Sequence, residues 1–201
     1  MKSCCPTRAE ILLLVVGLGL LGPAGCGSRV RAIVPPGIAS DAAKRAIETY
    51  DLDKNGYLDA GELEKAPAIR AAFPDSNKVT EEDIAARIAS WKEAKVGRVP
   101  FIVAVLHNGQ PLPGATVSLV PESFLGSELE TAVGTTDQSG RTMPTVPAHG
   151  SDNLPGVAPG FYRVEVTKAG ETIPAKYNTA TTLGGEVPQM DAKRWVLDLK
   201  Y

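Results

Sequence analysis

Histidine and cysteine are scarce in this chain, with two histidines and three cysteines in 201 residues. Cys4 and Cys5 precede an apolar stretch that reads as removable. Cys26 is then the single cysteine of the remaining chain, which excludes an intrachain disulfide there. His107 and His149 do not form a metal-binding histidine pair, and no Gly-x-Ser-x-Gly nucleophile elbow occurs. The expectation is therefore a non-catalytic protein. An excess of one charge is also lacking. The net charge of −2 excludes a nucleic-acid footprint and a polybasic membrane surface. What is present is ordinary for a globular chain with a core, 43% apolar and 22% charged residues. Sixteen prolines and twenty glycines, most of them after residue 97, point to a turn-rich, β-rich second half.

Lys2 and Arg8 give a basic start, and an apolar run follows from Ile11 to Leu21. That run is too short to span a bilayer as a helix and fits the apolar region of a signal peptide. Pro23, Ala24 and Gly25 then lead into Cys26. The arrangement resembles the bacterial lipoprotein signal, in which the cysteine after the cut carries lipid; cleavage by an ordinary signal peptidase is the competing reading. The expected segments are a signal peptide over 1–25 and a linker over 26–40 with Cys26 as the lipidation candidate. The expected location is exported: the cell envelope, lipid-anchored to a membrane, or the periplasm or cell surface.

Pro35, Pro36 and Gly37 block regular structure, and Ser40 or Asp41 can cap a helix. Ala43, Ile47 and Tyr50 then share a helical face. Leu63 and Ala66 continue a second helix that Pro67 must kink or end, while opening a new turn with Ile69 and Phe73 on its apolar face. Thr80 followed by Glu81, Glu82 and Asp83 reads as a capped helix start with acids at the positive end of the dipole. Ile84, Ile88 and Trp91 mark its stripe, and Gly97 is expected to end the helical region.

From Val99 the apolar period changes to two. Strands are expected over 99–106, 116–120, 132–136, 141–146, 161–168, 173–177 and 195–199, with Asn108-Gly109 and Asp137 to Gly140 as hairpin turns. Short strands with turns at this spacing suggest a β-sandwich.

The segment between the first two helices, Asp51 to Glu62, reads DLDKNGYLDAGE and fits D-x-[DN]-x-[DN]-G-x₅-E at every specified position. Ca²⁺ is a hard cation that takes six to eight oxygen ligands. Asp51, Asp53 and Asn55 supply side-chain oxygens. Gly56 permits the sharp turn. Tyr57 offers its backbone carbonyl, Asp59 ligates directly or through a water, and Glu62 is long enough to reach back with both oxygens. Leu58 is apolar, as packing beneath the loop requires. A second stretch, Ala72 to Asp83, aligns with the first when Val79 is set against Leu58, yet it lacks most of the ligands and the glycine. It is expected to bind no ion and to pair with the first through Leu58 and Val79.

Three further stretches carry a resemblance. Gly109, Pro111, Gly114, Ala115 and Val117 match "G-x-P-x-x-G-A-x-V"; Thr136, Asp137 and Gly140 match "T-D-x-x-G"; Gly160, Tyr162 and Val164 match "G-x-Y-x-V". Together they resemble the carboxypeptidase-regulatory-like or transthyretin-like β-sandwich. With the signal and the calcium loop ahead of it, the whole is similar to exported lipoproteins of planctomycete-like bacteria. The expected fold is α+β and multi-domain: a helical EF-hand pair over 41–97 with a degenerate second loop, then an all-β immunoglobulin-like or transthyretin-like sandwich of about seven strands over 98–201. The resemblance implies a fold and a location and no reaction. The expected function is calcium binding by an envelope lipoprotein, with Ca²⁺ as a structural staple. The alternative is a surface recognition module that binds a polysaccharide or a partner protein through the loop from Pro147 to Pro159.

Overall fold

The computed structural model describes residues 37–147, 155–189 and 194–201. The expected signal peptide, Cys26 and most of the linker lie outside the described residues, as does 148–154 of the expected recognition loop.

Helix α1 (Ala42–Tyr50) buries Ala42, Ala43 and Ala46, with Ile47 and Tyr50 packed at the core margin. Its small residues let the neighbouring helix approach. Asp41 stands at its N-terminus but makes no side-chain cap. After the loop come β1 (Tyr57–Asp59) and the single turn α2 (Ala60–Leu63), then α3 (Pro67–Ala72), which Pro67 opens from the first turn. Strand β2 (Lys78–Thr80) leads into α4 (Glu81–Ala94). Thr80 caps α4 as the sequence predicts, accepting from the Asp83 N–H at 3.3 Å, and the Asp83 carboxylate accepts in return from the Thr80 N–H at 2.9 Å. The helix stops at Ala94, three residues before Gly97, where its end was expected, because Lys95 takes the left-handed conformation at φ 53°.

The remaining strands are β3 (Val103–His107), β4 (Gln110–Pro111), β5 (Ala115–Pro121), β6 (Ala132–Thr135), β7 (Arg141–Thr142), β8 (Gly160–Lys168), β9 (Gly184–Val187) and β10 (Trp195–Leu199). One four-stranded antiparallel sheet runs β6-β5-β8-β9. A second joins β10, β3 and β4, with β7 also on β3, and its β10–β3 pair is parallel. The third is the β1–β2 pair. Asn108 and Gly109 both have positive φ, 51° and 81°, as the tight β3–β4 turn requires. Asp137 is a turn former: its carboxylate accepts from the N–H groups of Ser139 and Arg141.

The expected fold class is corrected by this arrangement. Among the described residues four short helices, the longest of 14 residues, accompany ten strands in three sheets, where a helical module ahead of a sandwich of about seven strands was expected. Two physical causes stand out. First, the helices do not bury their apolar faces among themselves alone, but also against the sheets. One hydrophobic core runs from Ala42 to Leu199, and Trp91 of α4 meets Phe161 of β8 edge-on at 4.8 Å. The described residues fall in one compact unit. Second, the strands differ from the pattern. The stretch 173–177 is a 3₁₀ turn (Ala175–Tyr177), whereas β9 was missed because Gly184-Gly185 carries no apolar alternation. Those glycines serve contact: a Cβ on Gly184 would fall 2.5 Å from the Ala68 backbone nitrogen, so only glycine lets the start of α3 sit against the sheet. Among the described residues no helix is long and apolar enough to cross a membrane.

Candidate metal centre

The loop begins where α1 ends. The Asp51 N–H still bonds to the Ile47 carbonyl at 2.8 Å, but its own backbone is extended. From there the chain reverses within five residues. Lys54 and Gly56 take positive φ, 62° and 87°. Nothing lies within 4 Å of a Cβ placed on Gly56, so glycine is needed there for its backbone and not for space. Lys54 adopts the same region with a side chain, at a cost of about 1 kcal/mol.

This turn points the polar side chains inward. Carboxylate oxygens of Asp51, Asp53 and Glu62 lie within 4.8 Å of one another. Glu62 is the buried member at 6% exposure, whereas Asp53 is exposed and Asp51 intermediate. The backbone wraps round them. Asp51 accepts from the N–H of Asn55 at 3.1 Å and of Gly56 at 2.9 Å. Asp53 Oδ1 accepts from the Asn55 N–H at 3.0 Å, and Asn55 Oδ1 from the Tyr57 N–H at 3.1 Å. Glu62 reaches back across the loop, its Oε1 accepting from the Leu52 N–H at 2.6 Å and its Oε2 from the Asp59 N–H at 3.1 Å.

Asp59 has a different task. Its Oδ1 accepts from the Glu62 N–H at 3.0 Å, which closes a capping box at the start of α2. The structure therefore brings together Asp51, Asp53 and Glu62, with Asn55 beside Asp53, and turns Asp59 toward the helix end. Tyr57 opens β1, where Leu58 is fully buried and faces Val79 of β2. That is the register obtained by aligning the two segments.

Partial burial pushes the Asp51 carboxyl up, but the amide N–H groups of Gly56, Asn55 and Lys54 outweigh it, and the group lies below the ordinary 3.8. Asp51 is thus ionised at neutral pH. Among the described residues no lysine or arginine pairs with any of the loop acids, so their charge is opposed by backbone dipoles and by the Asn55 side-chain amide, which donates to Asp53 Oδ2 at 2.9 Å. A set of hard oxygens, mostly anionic and lacking a fixed cation, suits Ca²⁺ and suits soft or nitrogen-seeking metals poorly.

His107 ends β3, its ring stacked on Tyr201 at 4.1 Å and its Nε2 3.1 Å from the Tyr201 carbonyl oxygen; it is held in packing. The sequence reading missed Tyr50, Glu122 and Arg163, which meet in a partly buried polar contact beside the start of the loop. They lie far apart along the chain, and no spacing rule joins them. No family model matches the sequence, and no curated protein matches it.

Proposed function

We propose that the chain is a non-catalytic, exported protein that binds one Ca²⁺ in the loop from Asp51 to Glu62. The observation that carries the reading is the convergence of three carboxylates within 4.8 Å in a loop without a basic partner among the described residues. Asp51, Asp53, Asn55 and Glu62 would hold the ion with side-chain oxygens, and Tyr57 with its carbonyl. Asp59 would serve through a water or by relaxing its cap. Bound Ca²⁺ supplies positive charge that relieves the mutual repulsion of the acids.

The role follows from position. The loop joins α1 to β1, and both contribute to the shared core through Ala46 and Leu58. A cation that closes the loop ties these elements together and acts as a permanent staple. Extracellular sites of this kind can be weak, with Kd on the order of 10⁻⁴ to 10⁻³ M, because external calcium is plentiful. Cys26 would hold the protein to a membrane through lipid, as the residues before it suggest.

Isothermal calorimetry on the folded protein tests the metal. One calcium per chain is expected, with uptake lost in Glu62→Gln; no uptake by the unaltered protein ends the proposal. Intact mass spectrometry of the membrane fraction tests the anchor, with a lipid-sized increment on Cys26 expected.

A further inference from the structure

Tyr50 is the last residue of α1, and Asp51 is the first candidate ligand. Whatever fixes Tyr50 therefore fixes where the loop begins. The Tyr50 hydroxyl donates to Glu122 Oε2 at 2.9 Å, across 72 residues of sequence. Its ring meets Phe124 edge-on, with centroids 6.3 Å apart. One helical turn earlier, Arg45 donates to the Ser123 carbonyl at 3.3 Å. So α1 is moored to the segment just after β5, and that segment is itself tied to β8 by the Glu122 N–H bonding to the Phe161 carbonyl at 3.0 Å.

The mooring point is an unusual choice of residue. Glu122 is 2% exposed, and its Oε1 has no hydrogen-bond partner among the described residues. Arg163 Nε stands 3.9 Å from Oε2, too far for a hydrogen bond. A buried carboxylate with an unused oxygen is costly. Packing alone would be served better by an apolar side chain. What the carboxylate gains is a strong, directional hold on one hydroxyl. The far end of the loop is held differently, by β1 pairing with β2. The two ends of the ligand set are thus attached to different elements, one to the segment after β5 and the other to β2.

We propose that Tyr50 and Glu122 are positioning residues for the metal loop: their hydrogen bond sets the place of Asp51 relative to Glu62 and thereby tunes calcium affinity. The proposal rests on the calcium reading. It makes affinity depend on two residues that do not touch the ion, in the way that outer partners orient ligands at other metal sites. Coupling is reciprocal, so calcium loading in turn tightens the Tyr50–Glu122 contact.

The test is calorimetric titration of the full chain with calcium chloride, on the wild type, Tyr50→Phe, Glu122→Ala, the double variant and Glu122→Gln. Tyr50→Phe and Glu122→Ala are each expected to weaken binding roughly tenfold. The double variant should bind no more weakly than either single one. Glu122→Gln keeps an oxygen acceptor for the tyrosine hydroxyl and should restore most of the affinity. Melting in chelator separates a merely structural role, which would lower Tm while leaving the Kd of the folded protein unmoved; that result overturns the proposal. So do two single effects that simply add. If Glu122→Ala fails to fold, Tyr50→Phe against wild type decides. Calcium uptake by the wild type with an unchanged Kd in Tyr50→Phe refutes the positioning role alone, whereas no uptake by the wild type removes the calcium reading as well.

Discussion

Between Asp51 and Glu62 the chain leaves α1, turns, forms the three residues of β1 and starts a helix capped by Asp59 and Glu62. Between Ala72 and Asp83 it leaves α3, turns, forms the three residues of β2 and starts a helix capped by Thr80 and Asp83. The two paths meet side by side, Leu58 against Val79. Their turns differ. The first collects Asp51, Asp53 and Glu62 and no cation of its own among the described residues. The second carries Ala72, Pro74 and Ser76 where ligands would stand and Asn77 in place of the glycine, and a resident guanidinium stabilises it: Arg70 donates to the Ser76 carbonyl at 2.7 Å. A shared backbone route and a shared capping box do not make a metal site. On the calcium proposal the oxygens at the turn make the difference, because only they change the charge at its centre.

Helices α1 and α4, one beside each segment, also differ in how they are held. α4 is fastened through Glu186, whose two oxygens accept from Arg87 and from the Trp91 ring N–H, both at 2.9 Å. α1 is fastened through Glu122, which leaves one oxygen without a hydrogen-bond partner among the described residues. The side with the charged loop thus carries the less satisfied anchor.

The largest effect expected strikes both segments together. Leu58→Ala removes a fully buried side chain from the β1–β2 contact and should cost about 2–5 kcal/mol, read by urea unfolding in chelator. A loss confined to the first segment's exchange-protected amides would break the idea that the two are one unit. Next, Glu62→Gln should weaken calcium binding by at least about 100-fold, near 2.8 kcal/mol, by calorimetry. Removing calcium from the unaltered protein should match it in scale. At 100 times Kd the ion adds about 2.7 kcal/mol, and the Tm difference between calcium and chelator should vanish in the Glu62 variant. Asp83→Asn, at the equivalent place in the second segment, should leave calcium affinity unchanged and cost about 1 kcal/mol through its cap. Equal calcium effects from the two variants would erase the distinction drawn between the segments.

The smallest effect concerns the anchors. Burial raises the Glu122 carboxyl above its ordinary 4.5, with Tyr50 and Arg163 opposing. Between the unfolded value and the raised folded one, the folded protein therefore holds a proton there that the unfolded chain has already released. This contribution to stability is full below about pH 4.5 and is lost as pH rises through the folded value. Glu122→Gln should accordingly gain stability over the unaltered protein near neutral pH and lose that advantage in acid, as measured by Tm against pH.

The convergence of Asp51, Asp53 and Glu62 was legible in the chain, since a loop of twelve consecutive positions carries the candidate ligands, the glycine and the apolar plug in fixed order. The Thr80 cap and the Asn108-Gly109 turn were legible for the same reason: each is a local contest between a side chain and its own backbone. Only the tertiary structure decided that Asp59 serves the helix start, that Gly184 exists to admit α3, that β10 lies parallel to β3, and that helices and sheets share one core in place of two. It also decided that Tyr50 meets Glu122. Contacts of that kind depend on which surfaces are buried together, and hydrophobic burial is non-directional: it rewards any partner that excludes water, so short-range pattern does not name the partner.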